Sequence, residues 1–232
     1  MESSFLDFLR DGFWHAAPIL LVGMAGLVII IERVRALFMI YPMRDMQGFF
    51  DQIRDAVMHD RTAEAVSLCD RYPGKPVAAV VKIALLRGHQ PESLVENGLE
   101  LVVEDASQKV QRRTGFLSMI GNVATLLGLF GTIAGLIAAF ASIAQEDSQQ
   151  KAALLALGIS QAMYATMLGL GVAVPSMAAF SILQNRTNRL ISDIETAALR
   201  IMDIYKQRYF EAEKSVVSGR IRGGQKTTHG IG

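Results

Sequence analysis

Residues 114–145 and 152–185 carry no Asp, Glu, Lys or Arg. Each run exceeds the ~20 apolar residues that take a helix across a bilayer. A third apolar run, WHAAPILLVGMAGLVIII from Trp14 to Ile31, leads into Glu32, Arg33 and Arg35 and then into ALFMIY. Trp14 and Tyr41 suit the membrane interface, and the two arginines can extend to the inner surface. The flank before this run is acidic (Glu2, Asp7, Asp11), and no small-residue cleavage site follows it. The pattern predicts a retained anchor rather than a cleaved signal.

The rest of the chain reads as helix. Phe49, Phe50, Ile53, Val57 and Met58 recur at helical spacing, and Ala63, Val66 and Leu68 follow Thr62. Tyr72-Pro73-Gly74-Lys75-Pro76 is a turn, because its prolines and glycine cannot continue a helix. Val77–Leu86 is a further apolar helix, ended by Arg87-Gly88-His89-Gln90-Pro91. No proline follows until Pro175, which predicts one unbroken helix from about Pro91 to Ala144. Beyond Arg186, the residues Leu190, Ile194, Ala197, Ile201, Ile204 and Tyr205 hold one face to about Phe210. After Ser215 the periodicity stops, which predicts a disordered tail. The expected fold is all-α and polytopic. It has three transmembrane helices, two of them long and extending into a helical cytoplasmic region.

Charge orients these elements. The chain is 51% hydrophobic with a net charge of only +1, but its basic residues are segregated. Arg44, Arg54, Arg61, Arg71, Lys75, Lys82, Arg87, Lys109, Arg112 and Arg113 lie between the first two spans, and a second basic set follows Arg186. Positive residues are retained in the cytoplasm, so both sets are expected inside, with the amino terminus and the connector near Lys151 outside.

Both long spans carry rows of small residues. Gly121, Ala124, Gly128, Gly131, Gly135 and Ser142 share one face, as do Gly158, Ala162, Ala165, Gly169, Ala173 and Ser176. Small residues let helix backbones approach in lipid, where no hydrophobic force joins them. Gly128, Gly131, Gly135, Gly158 and Gly169 are the expected packing residues, and a plain helix hairpin that packs well is the simpler use of one such face. Thr125, Thr132, Gln161 and Thr166 lie among them. A threonine hydroxyl can bond back to its own helix, or it can offer one donor and two acceptor positions to water or a cation.

Catalytic chemistry has no footing here. Cys69 is the only cysteine, and the four histidines (His15, His59, His89, His229) form no ligand spacing. The sequence predicts no enzyme, cofactor, metal site or nucleic-acid binding. Neither long span contains Asp, Glu, His or Lys. A proton path through them would therefore need a carboxylate from a second polypeptide.

Ile120–Ala144, IGNVATLLGLFGTIAGLIAAFASIA, resembles the second span of the MotA/TolQ/ExbB proton channel family, with its LLGL-GT-G core. Ile159–Leu183, ISQAMYATMLGLGVAVPSMAAFSIL, is similar to that family's third span, with its A-x-x-x-T-x-x-GL-x-x-A-x-P pattern. Three spans rather than four place the chain nearer TolQ and ExbB than MotA. Two positions depart from the family pattern: Gln161 stands where a glutamate is usual, and Thr125 where a proline is usual.

The resemblance implies a homopentamer in the bacterial inner membrane, a ring closed through the small-residue faces, around two copies of an ExbD/TolR/MotB-like single-span partner. That partner's aspartate would face Thr132 and Thr166, the family's pore threonines, with Gln161 nearby. The implied activity is that of a stator subunit using the proton motive force to energise transport, envelope maintenance or gliding motility. A non-conducting membrane scaffold is the alternative. The expected organisation is a periplasmic amino terminus (1–13), transmembrane helix 1 (14–41), a cytoplasmic helical region (42–114) and transmembrane helix 2 (115–144). A periplasmic connector (145–152), transmembrane helix 3 (153–184) and a cytoplasmic extension with its tail (185–232) complete it.

Overall fold

The computed structural model describes residues 13–143 and 148–226, with side chains over most of that range. The amino-terminal dozen residues, the middle of the connector and the last six residues lie outside the described residues, as do the side chains of Trp14 and Ser142. Every element among the described residues is helical: α1 (Phe13–Arg35), a π-helical turn (Ala36–Ile40), α2 (Met46–Met58), α3 (Thr62–Asp70), α4 (Pro76–Arg87), α5 (Glu92–Gln111), α6 (Thr114–Ile143) and α7 (Ser148–Lys226). Three stretches are long and apolar enough to cross a membrane: Ala16–Ile40, Glu92–Ala141 and Lys151–Glu211.

The chain divides into two compact units. The first comprises the chain up to Leu37 together with Gln111–Thr187. Here α1 packs on α6, and its glycines reach both long helices. A Cβ on Gly23 would meet Val172, and one on Gly26 would meet Ile120 and Ser176. The buried residues are mostly small or aliphatic: Ala16, Ile19, Leu117, Ala124, Ala162, Ala165, Ala173 and Leu183. Large apolar side chains point outward instead, among them Leu21, Met24, Leu126, Phe130, Ile137, Met163 and Val174. This inversion suits a hydrocarbon solvent, in which outward bulk costs nothing and inward smallness permits close packing.

The second unit comprises Phe38–Val110 and the chain from Asn188 onward. Asp45 caps α2 by accepting from the Gly48 N–H at 2.9 Å. Pro76 opens α4, where its missing N–H leaves no bond unmade. Gly74, at φ 76°, makes the turn that the Pro-Gly-Lys-Pro run predicts. Phe49, Ile53, Val57, Val80, Val81, Ile194 and Ile201 form an ordinary apolar core. Around it run polar ties between distant segments: Arg54 to Gln207 (2.6 Å), Arg208 to Asp60 (2.7 Å) and Lys206 to Glu92 (3.2 Å).

Two expectations need correction. The single helix from Pro91 to Ala144 is interrupted after Gln111 and restarts at Thr114, with Arg113 in the left-handed region at φ 67°. Thr114 and Gly115, both weak helix formers, follow the break, and Arg113 there is bound to Glu32, which lies far away in the sequence. At the other end, α7 continues to Lys226, past Ser215 where loss of apolar periodicity predicts disorder. A helix needs only its own backbone hydrogen bonds, which periodicity does not report.

Candidate functional site

The close approach of α6 and α7 is built on glycine. A Cβ on Gly128 would lie 3.2 Å from the Gly169 Cα and 3.3 Å from the Ala165 carbonyl oxygen. One on Gly169 would lie 2.7 Å from the Ala124 oxygen and 2.8 Å from the Gly128 Cα. Gly131 faces the Ala165 methyl, Gly135 faces Ala162, and Gly158 faces Ala139. All five glycines therefore lie in one antiparallel seam within a single chain. The chain's own hairpin uses both rows, as the simpler reading of such faces expects.

The approach brings together the two threonines. Thr132 is one turn beyond Gly128, and Thr166 lies three residues before Gly169. Their hydroxyls are hydrogen-bonded to each other across the seam. The Thr132 hydroxyl is also within reach of its own helix at the Gly128 oxygen (3.1 Å) and of α7 at the Ala162 oxygen (3.3 Å). The Thr166 hydroxyl reaches the same Gly128 oxygen at 3.3 Å. Two protons are thus shared among two hydroxyls and two carbonyls. The bonds can exchange partners without moving the backbone, and each hydroxyl oxygen keeps acceptor capacity. Both side chains are half-buried.

The other polar residues behave differently. Gln161 is half-buried and takes no part in this network. Five residues from Thr166, it lies well off the face that Thr166 presents. Thr125 donates back to the Gly121 oxygen at 3.0 Å, as does Ser176 to the Val172 oxygen at 2.8 Å. These are local uses that satisfy the side chain within its own helix.

Sequence reasoning missed a polar group at the opposite end of α1. Arg113 Nη1 donates to both carboxylate oxygens of Glu32 at 2.7 Å, and the buried Arg33 lies 3.7 Å from the same carboxylate. Arg186 Nε donates to the Leu37 oxygen at 3.4 Å. The Glu32-Arg33 step after the apolar run was visible, but nothing in the sequence pairs Glu32 with Arg113.

The model of the MotA/TolQ/ExbB proton channel family matches residues 71–196, which include α6, the seam and most of α7's apolar run. The chain belongs to this family. It is 28% identical to the biopolymer transport protein ExbB of Salmonella typhimurium, over 55% of this chain and 52% of that protein. It is 29% identical to the Tol-Pal system protein TolQ of Haemophilus influenzae, over 44% of this chain and 46% of that protein. The chain thus spans about half the length of these curated relatives. Its fold is similar to that in the structure of C. jejuni MotAB, with a TM-score of 0.61 and 16% identity over 83% of this chain and 77% of the other. The family consists of membrane-embedded channel proteins rather than enzymes.

Proposed function

We propose that this chain is the non-titrating channel subunit of an ion-driven motor in the bacterial inner membrane. Five copies would surround two copies of an ExbD/TolR/MotB-like single-span partner, with amino termini in the periplasm and carboxy termini in the cytoplasm. The motor would energise an envelope process: TolQ/ExbB-like transport or maintenance, or gliding motility.

The observation that carries this reading is the paired hydroxyls of Thr132 and Thr166 in spans without Asp, Glu, His or Lys. Such a site can pass a proton or solvate an ion, but it cannot hold charge. The charge-bearing group must come from the partner, whose aspartate would be neutralised and re-ionised at the threonines. A carboxylate that loses its charge in a low-dielectric site sheds a large desolvation penalty, so each protonation changes which position of the partner is favoured. Gln161, well off the face of Thr166, would act from a separate face of α7.

The scaffold alternative has one observation in its favour: the two hydroxyls satisfy each other and their backbone neighbours. Valine separates the readings, because it keeps the shape of threonine and removes the hydroxyl. Interhelical hydrogen bonds in membranes average about 0.6 kcal/mol, so Thr132→Val and Thr166→Val should assemble normally with the partner. Driven output in cells, and proton flux in liposomes containing the purified complex, should fall to background. Normal output with both valines present would refute the channel role and leave the scaffold.

A further inference from the structure

Within the second unit, α5 and α7 enclose an apolar groove of about 440 Å³. Leu99 and Met202 are buried along it, and Leu199 stands in it with 73% of its surface exposed. Carboxylates flank this apolar strip on both sides: Glu96 and Glu100 on α5, Glu195 and Asp203 on α7. All four acidic residues are exposed.

The acids are arranged at a cost. Glu92, Glu96, Glu100 and Glu104 follow one another on α5 at intervals of four, which stacks like charges on one helical face and destabilises the helix. The ends of this ridge are relieved, Glu92 by Lys206 at 3.2 Å and Glu104 by the Gln108 amide at 2.9 Å. Its middle is not: neither Glu96 nor Glu100 has an ion pair among the described residues. The nearest cations on α7 are engaged elsewhere. Lys206 lines the groove but is held by Glu92, and Arg200 lies over the Phe50 ring, 5.5 Å from its centroid.

Four carboxylates exclude hydrocarbon as the cover of Leu199, and they repel an anionic membrane surface. A small cation would meet the acids but leave the leucine in water. A basic amphipathic helix answers both, laying its apolar row on the strip and its lysines or arginines against the ridges. The groove runs from Glu96 to Val103 on α5 and from Glu195 to Lys206 on α7, ~10 Å and ~16 Å at ~1.5 Å per residue, which suits about three helical turns. We propose that this groove docks a basic amphipathic helix of a partner protein. The proposal is independent of the conduction reading, since it uses no residue of the threonine site and needs no ion.

The probe is a synthetic helical peptide of about 18 residues, leucine on one face and lysine on the rest, added to the full chain in neutral phosphatidylcholine nanodiscs with empty discs as the blank. A carbodiimide joins lysine amines to carboxylates they touch, and mass spectrometry maps the joins. They should fall on Glu96, Glu100, Glu195 and Asp203. Affinity, read by fluorescence anisotropy, should drop at least about tenfold when Glu96→Gln, Glu100→Gln, Glu195→Gln and Asp203→Asn are combined, and about tenfold in Leu199→Ser, which keeps every carboxylate. Loss in the first variant without loss in the second would mean that the acids attract any polycation, and would overturn the groove. Joins confined to other carboxylates would overturn it too. Joins between copies, from Lys214 or Lys226 onto these four acids without peptide, would assign the groove to a second copy and refute a partner protein. Because carboxamides relieve the repulsion within α5, the combined variant should melt no lower than wild type. A lower melting point would show that this chain itself uses the carboxylates, and would count against the proposal.

Discussion

Replacing Gly169 by alanine would place a methyl carbon 2.7 Å from the Ala124 oxygen and 2.8 Å from the Gly128 Cα. Ordinary contact begins at 3.4 Å, so the methyl falls about 0.7 Å short at its nearest neighbour. Both obstacles are backbone and cannot rotate away, so α6 and α7 must separate. Overpacking of a well-packed site costs about 1–3 kcal/mol, and rigid obstacles place this one at the upper end. Alanine returns about 1 kcal/mol through its higher helix propensity. The expected net loss is about 2 kcal/mol. Gly171, two residues along the same helix, provides the internal control, because a Cβ there meets nothing within 4 Å. Gly171→Ala should gain up to about 1 kcal/mol, so the two variants should move in opposite directions. Reversible unfolding by SDS in mild detergent micelles, followed by circular dichroism, measures both. Equal stability of Gly169→Ala and Gly171→Ala would refute the close approach of Gly128 and Gly169.

Three further outcomes are expected. If Gln161 faces the partner's proposed aspartate in the assembly, Gln161→Glu makes the two carboxyls titrate as a coupled pair with at least one pKa raised; motor output at matched membrane levels should then change its pH profile, and superimposable profiles would place Gln161 outside the pathway. Burial, with Asp70 beside it, pushes the Cys69 thiol from 9.0 up to about 11, so its contribution to stability is complete below pH 9 and is lost as pH rises toward 11. Melting curves across that window should fall in wild type, and the part of the fall due to this thiol should be missing in Cys69→Ala; identical pH dependence would count against the buried thiol. Asp45→Ala removes the acceptor for the Gly48 N–H and should cost about 1 kcal/mol, read as a lower melting temperature of the full chain.

Hydropathy determined the helical class and the three long apolar segments, the prolines and glycine at 73–76 the turn at Gly74, and the family resemblance singled out Thr132 and Thr166 among the polar residues of the spans. These are local properties: a charge-free run or a proline acts wherever it stands. Tertiary structure decided which face met which. The rows of glycine and alanine were legible, but a row does not name its partner, and only the fold assigned both rows to one hairpin. It also selected among the polar residues. Thr132 and Thr166 meet because Gly128 and Gly169 let the backbones close, whereas Thr125 turns back onto Gly121 and Gln161 stands apart from the network. The interruption at Arg113 was only weakly legible. Thr114 and Gly115 lower the local helix propensity, but the partner that holds Arg113 is Glu32, brought to it from another helix by packing.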